Sequence, residues 1–364
     1  MSDVAPVSKR PRWLIPLIVV LTLGGMIGGY AIREGVRRSL LHKGGTGPVP
    51  RAVIYTSADD PVAREFVAMA KSILDVDVQI VGDTEATKST GIAQRLIDEA
   101  AAPKADIWWS NEELATARLI KAGLLNEKEL AVFAARARVI AYSTTRVKNP
   151  PRTLRDFVNP AHAGRIGMAR PQFGTTRAQI AALVAIHGEA ATEAWLNQLK
   201  AAKVRLYDGN SAVVRGIAHA EIDIGLTDTD DVWSARREKW PVEMLFESVD
   251  PQQPPIDAGT LGNGAIRDGL PSMGALRICN TAAMVKGAKD PAEQVAANAV
   301  LDLLRSKTFE ITMAQSDSHT MPLDPELAAQ FSQNQIENPW IVDAQRLLAA
   351  DEAAQKLWEK VMGR

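Results

Sequence analysis

The chain has 364 residues, 46% hydrophobic and 23% charged, an ordinary globular composition with room for an N-terminal appendage and two lobes. Residues 1–50 hold seven Lys/Arg against two Asp/Glu, so the remainder carries 35 basic and 41 acidic side chains, a net charge of −6. That balance argues against a nucleic-acid partner, which needs a clustered basic surface. The single cysteine, Cys279, rules out an internal disulfide and a thiolate metal cage, and its place after Leu276-Arg277-Ile278 predicts a buried structural thiol.

Residues 1–12 form a basic cytoplasmic tail. Trp13–Ile32 is a run of twenty residues without a charge, bracketed by Lys9, Arg10 and Arg12 and by Arg33, Arg37 and Arg38. As a helix it reaches roughly 30 Å, enough to cross a bilayer. It reads either as an uncleaved anchor, which its length favours, or as an export signal with Gly29-Tyr30-Ala31 as the cleavage site. No cysteine follows it, so a lipoprotein is excluded. Both readings put the rest of the chain outside the cytoplasmic membrane. Residues 33–50, ending in Gly44-Gly45-Thr46-Gly47-Pro48-Val49-Pro50, are a flexible linker.

From Ala52 strands and helices alternate. Ala52–Tyr55 is a strand, Thr56–Pro61 a loop, and Val62–Leu74 a helix with Val62, Phe66, Met69 and Ile73 on one face. Asp77–Val81 is a second strand, Gly82–Gly91 a polar loop, Ile92–Ala101 a helix, and Ala105–Trp109 a third strand opening into Ser110-Asn111-Glu112-Glu113 and another helix. This alternation predicts a parallel sheet covered on both faces. Ser57, Thr84, Ser110 and Asn111 then sit at strand carboxyl ends, near helix N-termini whose free N–H groups attract anions. Of the adjacent Trp108 and Trp109, one should be core and the other could reach the cleft.

Arg138–Ser143 is one more strand. A second series begins with strand Arg165–Ala169 and loop Pro171–Thr176, then helices from Arg177 to about His187 and over Ala191–Ala201, and strand Val204–Tyr207. Asp208–Ser211 precedes a helix over Ala212–His219. Next, Glu221–Asp231 changes character in its middle: Ile222, Ile224 and Leu226 share one strand face, and Thr227, Asp228, Thr229, Asp230 and Asp231 are five consecutive oxygen-bearing residues. Asp230 or Asp231 can cap the helix that follows, but a cap needs one oxygen and this stretch supplies many. A polar ligand cleft at the carboxyl end of a sheet accounts for the surplus. Pro241–Phe246 reads as the strand returning to the first lobe, Asp250–Gly274 as a surface loop, Ala275–Lys286 as a strand and Pro291–Ser306 as a helix. The rest is helical, broken at Ser318–Pro322.

Catalytic motifs are absent. Gly82–Ser89 imitates a phosphate loop, but Thr87 stands where glycine is required. Gly209-Asn210-Ser211-Ala212-Val213 lacks the second glycine of a nucleophile elbow. The five histidines have no metal-ligand spacing. No catalytic residue is assigned.

Several segments, in this order, resemble the extracytoplasmic solute-binding proteins of ABC importers, of the ferric-iron-binding type. They are Tyr55-Thr56-Ser57, Gly82–Lys88, Ala105–Glu112, Lys121–Leu125, Phe173-Gly174-Thr175-Thr176, Gly225–Asp231 and Asn280-Thr281. The resemblance implies an α/β, two-lobe periplasmic-binding-protein fold (type 2), each lobe a sheet flanked by helices. We divide the chain into lobe 1, residues 51–140 and 247–364, and lobe 2, residues 141–246. It also implies a monomer that closes on a solute and delivers it to an ABC permease.

Iron-binding members hold ferric ion with paired tyrosines where this chain has Asp230 and Asp231, often with a histidine in the first loop and a glutamate after the third strand. Here the first loop is Ser57-Ala58-Asp59, and Asn111 stands next to Glu112. The four tyrosines lie elsewhere. The family's anion-holding places correspond to Gly174, Thr175 and Thr176 and to Asn210 and Ser211, where amides and hydroxyls suit a phosphate or carboxylate. Two chemistries stay open. The carboxylates bind a hard cation such as ferric iron, or they accept hydrogen bonds from hydroxyls or an amine of an organic phosphate or phosphonate, the reading that explains both halves without tyrosine. No cofactor is required. A solute-sensing domain for a signalling partner is a further alternative.

Overall fold

The structure is a computed structural model that describes residues 49–58, 60–74, 76–82, 90–172, 174–249, 270, 272–287 and 290–363. The apolar segment 13–32, most of the linker, Asp59, Thr84 and nearly all of the 250–274 loop lie outside the described residues. No helix among the described residues is long and apolar enough to cross a membrane.

Strand β1 (Arg51–Thr56) runs parallel to β2 (Asp77–Gly82) on one side and β3 (Ile107–Ser110) on the other. Helix α1 (Asp60–Leu74) connects the first two and buries Val62, Phe66, Ala70 and Leu74, which recur at helical spacing along one stripe. Helices α2 (Thr90–Asp98) and α3 (Glu113–Lys121) flank β3 in sequence. Trp108 and Trp109 point to opposite faces of β3 and both are fully buried. Trp108 donates to Thr116 Oγ1 at 2.8 Å, and Trp109 packs edge-on against Phe66 with ring centroids 5.5 Å apart. Neither reaches a cleft, because helices cover the sheet on both sides.

The sheet is not parallel throughout. Strand β9 (Ala275–Met284) pairs antiparallel with β3, and β4 (Ala131–Ser143) pairs antiparallel with β9. At thirteen residues, β4 serves two sheets: Ala131–Ala137 lie beside β9, and Arg138–Tyr142 pair with β7 (Ile224–Asp228). A bulge at Ala134, with φ 42°, interrupts the first half. Its N–H donates to Glu310 Oε1 at 2.9 Å and its carbonyl accepts from Asn280 Nδ2 at 3.0 Å, so both backbone groups are satisfied.

In the second sheet β5 (Ile166–Ala169) lies parallel between β7 and β6 (Arg205–Tyr207). Helix α4 (Leu154–Phe157) precedes β5. Helix α5 (Gly174–Ala201) is broken at Gly188, where φ is 80°, matching the two helices expected there. Helix α6 (Asn210–Ala218) lies so close on β7 that a Cβ on Gly225 would stand 2.4 Å from Val213 Cγ1. Helix α7 (Thr229–Arg237) follows β7 directly. Strand β8 (Val242–Leu245) pairs antiparallel with the end of β4, so it stays with the second sheet; the strand that returns to the first is β9.

Beyond β9 come α8 (Pro291–Leu304), α9 (Lys307–Gln315), α10 (Pro325–Gln330), β10 (Pro339–Trp340) and α11 (Ala344–Met362). Helices α8 and α9 complete the core around Phe66 and Trp109. Helix α11 instead buries Leu347, Leu357, Trp358 and Val361 in one cluster with Leu196, Leu199 and Ile180 of α5. Each such fully buried side chain contributes about 1.5–3 kcal/mol. By packing, then, α11 lies chiefly against α5, in a cluster that also takes in Leu114, Leu276 and Ile278.

Candidate functional site

The expected site residues fall into two groups, one on each side of β4. The first is at the carboxyl ends of β1 and β3. Ser57 Oγ lies 3.3 Å from Ser110 Oγ, donates to Asn111 Oδ1 at 3.1 Å and accepts the Asn111 N–H at 3.1 Å. Glu112 caps α3 with both oxygens, accepting from Leu114 N–H at 2.6 Å and Ala115 N–H at 3.0 Å. Burial pushes its pKa up, against the opposing pull of those amides and of the Arg177 and Arg136 guanidiniums. All four residues are buried.

The second group is built where the starts of α5 and α6 converge on the end of β7. Gly174 has φ 59°, a left-handed conformation that suits glycine, and from it the chain enters α5 at Thr175 and Thr176. Asp228 ends β7 and is 2% exposed. Its carboxylate accepts from Thr175 Oγ1 at 2.7 Å, Asn210 Nδ2 at 3.0 Å and Arg138 Nη1 at 2.8 Å, and Arg136 Nε stands 3.3 Å away. Arg136 Nη1 also reaches Asp230 at 3.6 Å. Thr227 Oγ1 donates to Asp231 Oδ2 at 2.9 Å and Asn210 O at 3.2 Å. Asp230 and Asp231 are half-buried in the first turn of α7; the capping position belongs to Asp228, so neither is the N-cap. Ser211 lies beside Asn210 in the first turn of α6.

Two side chains of the candidate site escaped the sequence reading: Arg136 and Arg138. Two residues apart on β4, they point to the same face of the strand. Arg138 also donates through Nε to Gln179 Oε1 at 3.1 Å and through Nη1 to Asn210 Oδ1 at 3.0 Å. Its Nη2 is buried without a hydrogen-bond partner among the described residues, as is Thr176 Oγ1. The cluster is thus zwitterionic, three carboxylates facing two guanidiniums. Oxygens of Asp228, Asp230 and Asp231 lie within 4.8 Å of one another, close enough to share a cation.

Tyrosine takes no part among the described residues. Burial raises the pKa of Tyr55 to about 12 and its hydroxyl donates to Glu99 at 2.7 Å; burial likewise raises Tyr207 to about 12, and it donates to Glu221 at 3.2 Å. Tyr142 lies in β4, paired with Ile224. Cys279 is fully buried, as expected, and burial pushes its thiol pKa up.

Two helix-flanked sheets joined through long antiparallel strands, with polar groups where strand ends meet helix starts, define a two-lobe periplasmic-binding-protein fold. The profile of the bacterial extracellular solute-binding proteins matches residues 58–316. The chain belongs to that family, and an extracytoplasmic location goes with the membership. The major ferric iron-binding protein of Neisseria meningitidis is 26% identical over 194 residues, 47% of this chain; the match spans 58% of that relative's length. Among solved structures, iron-bound HitA from Pseudomonas aeruginosa aligns with a TM-score of 0.66 at 21% identity, covering 86% of this chain and 99% of that one. AfuA from Actinobacillus pleuropneumoniae, with fructose-6-phosphate bound, aligns with a TM-score of 0.64 at 16% identity, covering 86% and 98%. At these identities the structural likeness shows the fold.

Proposed function

We propose that the protein is the solute-binding component of an ABC importer, closing its lobes on a small organic phosphate or phosphonate and delivering it to a membrane permease. The lobes are residues 51–140 with 247–343, and 141–246 with α11. The observation that carries the reading is Arg138, buried beside the first turns of α5 and α6 with a donor at Nη2 that no acceptor among the described residues meets. A buried unsatisfied donor costs about 1–3 kcal/mol, and a phosphate oxygen relieves it. The first-turn amides of α5 and α6, Thr176 Oγ1 and Ser211 are the neighbouring groups that suit the same anion. In this reading Asp230 and Asp231 accept from hydroxyls or an amine on the rest of the solute, and Ser57, Ser110 and Asn111 close from the other lobe. AfuA, of the same fold, was solved with a sugar phosphate.

Ferric iron is the second reading, favoured by the three clustered carboxylates and by the relatives named for iron binding. Against it, Asp228 is already engaged by two guanidiniums, which repel a trivalent cation, and among the described residues no phenol stands near. Native mass spectrometry and elemental analysis of freshly purified protein, followed by titration with fructose 6-phosphate, inorganic phosphate and ferric citrate, separate the two. Saturable binding of the sugar phosphate without metal is expected. Stoichiometric iron, with no phosphate ester bound, would overturn the proposal.

A further inference from the structure

A second contact between the lobes lies on the other side of β4. Ala135, next to Arg136, points away from the ligand groups and lines a cavity of about 330 Å³ together with Trp233, Arg236, Phe246, His319 and Asn334. The walls come from different lobes. Trp233 and Arg236 sit on α7, whose Val232 and Ala235 pack into the core of the second lobe with Val213 and Ile217. His319 follows α9, whose Phe309 and Met313 belong to the first-lobe core, and its loop is tied to β4 by the paired backbones of Ala135 and Met321. Across this junction the Trp233 and His319 rings stack, centroids 4.3 Å apart and 34° from parallel, and Arg237 pairs with Asp317. Arg236 covers the Trp233 ring at 4.2 Å.

We infer that Trp233 and His319 are positioning residues: their stack, braced by Arg237 and Asp317, is a latch behind the hinge that sets how far α7 stands from the first lobe. Trp233 lies two residues beyond Asp231, in the first turns of the same helix, so any rotation that carries Asp230 and Asp231 toward Ser57 and Asn111 shears the stack. The cavity beside it gives the side chains room to part without a clash. Closure at the front and contact at the back are then opposed, and the latch holds the solute-free protein open. The assignment of Asp230 and Asp231 to the solute rests on the function proposed above; the latch itself is tested without any solute.

Cys279 is fully buried, so cysteines introduced on the surface can be spin-labelled selectively. Asp60, at the start of α1, and Asp208, 84% exposed before α6, follow strand carboxyl ends of the two lobes and report the gap between them. In the full-length chain carrying D60C and D208C, Trp233→Ala and His319→Ala should each move the label-to-label distance distribution to shorter values. The double variant should move it no further, and Trp233→Phe, which keeps a ring, should stay near the parent. Thermal melting checks that each variant is folded; Arg237→Ala, at an exposed pair, gives a milder shift in the same direction if Trp233→Ala fails to fold. Distances that stay unchanged or lengthen in these folded variants would overturn the latch, whatever the solute proves to be.

Discussion

Arg138 and Asp228 form an ion pair at 2.8 Å in which both side chains are 2% exposed. The pair joins β4 to β7 at the point where two helices begin, and Thr175 and Asn210 complete the shell of Asp228. Removing one member of such a pair leaves the other charged and dry, which is far costlier than the net worth of the pair.

Asp228→Ala is therefore expected to destabilise the protein by about 3–5 kcal/mol in urea unfolding. Asp228→Asn, which keeps the acceptor oxygen and the shape, should cost less. Equal and small losses would show that the guanidiniums find other partners.

Asp230 and Asp231 are half-buried, and their pairs weigh less. Asp230→Ala combined with Asp231→Ala should abolish solute binding in calorimetric titration while shifting stability by only about 1 kcal/mol. A large loss of stability with binding intact would reduce the stretch to a helix start.

Thr175 Oγ1 donates to Asp228 and accepts from Asn210 Nδ2 at 2.8 Å. It also accepts from Arg138 Nη1 at 3.3 Å, and replacement by valine keeps the volume and removes all three bonds. Affinity for an anionic solute should fall by about 1–3 kcal/mol; an unchanged dissociation constant would remove the start of α5 from the site.

Glu247 supplies a pH signature. Burial raises its pKa to about 7, opposed by bonds from Ser272 and the Leu154 N–H. In the unfolded chain the carboxyl titrates near 4.5. The folded state thus holds the proton more tightly, and stability from this group is fully present below that value and is lost as pH rises through about 7. Melting temperature should decline across this window, and Glu247→Gln should flatten the decline. A slope identical in the variant would assign it to other groups, Glu113 first, whose pKa burial also raises to about 7.

Local signals served the sequence reading well where the structure is local. Apolar runs gave β1, β3 and β5, and the abrupt change at Thr227 marked the passage from β7 into α7. The first half of β4 was missed because Ala-Val-Phe-Ala-Ala-Arg-Ala-Arg is rich in residues that favour helices, and only pairing with β9 makes it a strand. With it went Arg136; Arg138, the first residue of the expected strand, was placed in β4 but not singled out. Two arginines at a spacing of two within an otherwise small and apolar run were the available sign, since a strand places both on one face. Their partner Asp228 lies 90 residues away from Arg138, a separation that no local pattern bridges. Asp59 and Thr84 lie outside the described residues.

The packing of α11 on α5 bears on how the chain is made. An interior that joins residues 154–226 to 340–361 cannot close before the later segment has been made, and the greasy stripe of α5 must wait for it. A chain lacking α11 would be left with that stripe open to proteases and to its neighbours.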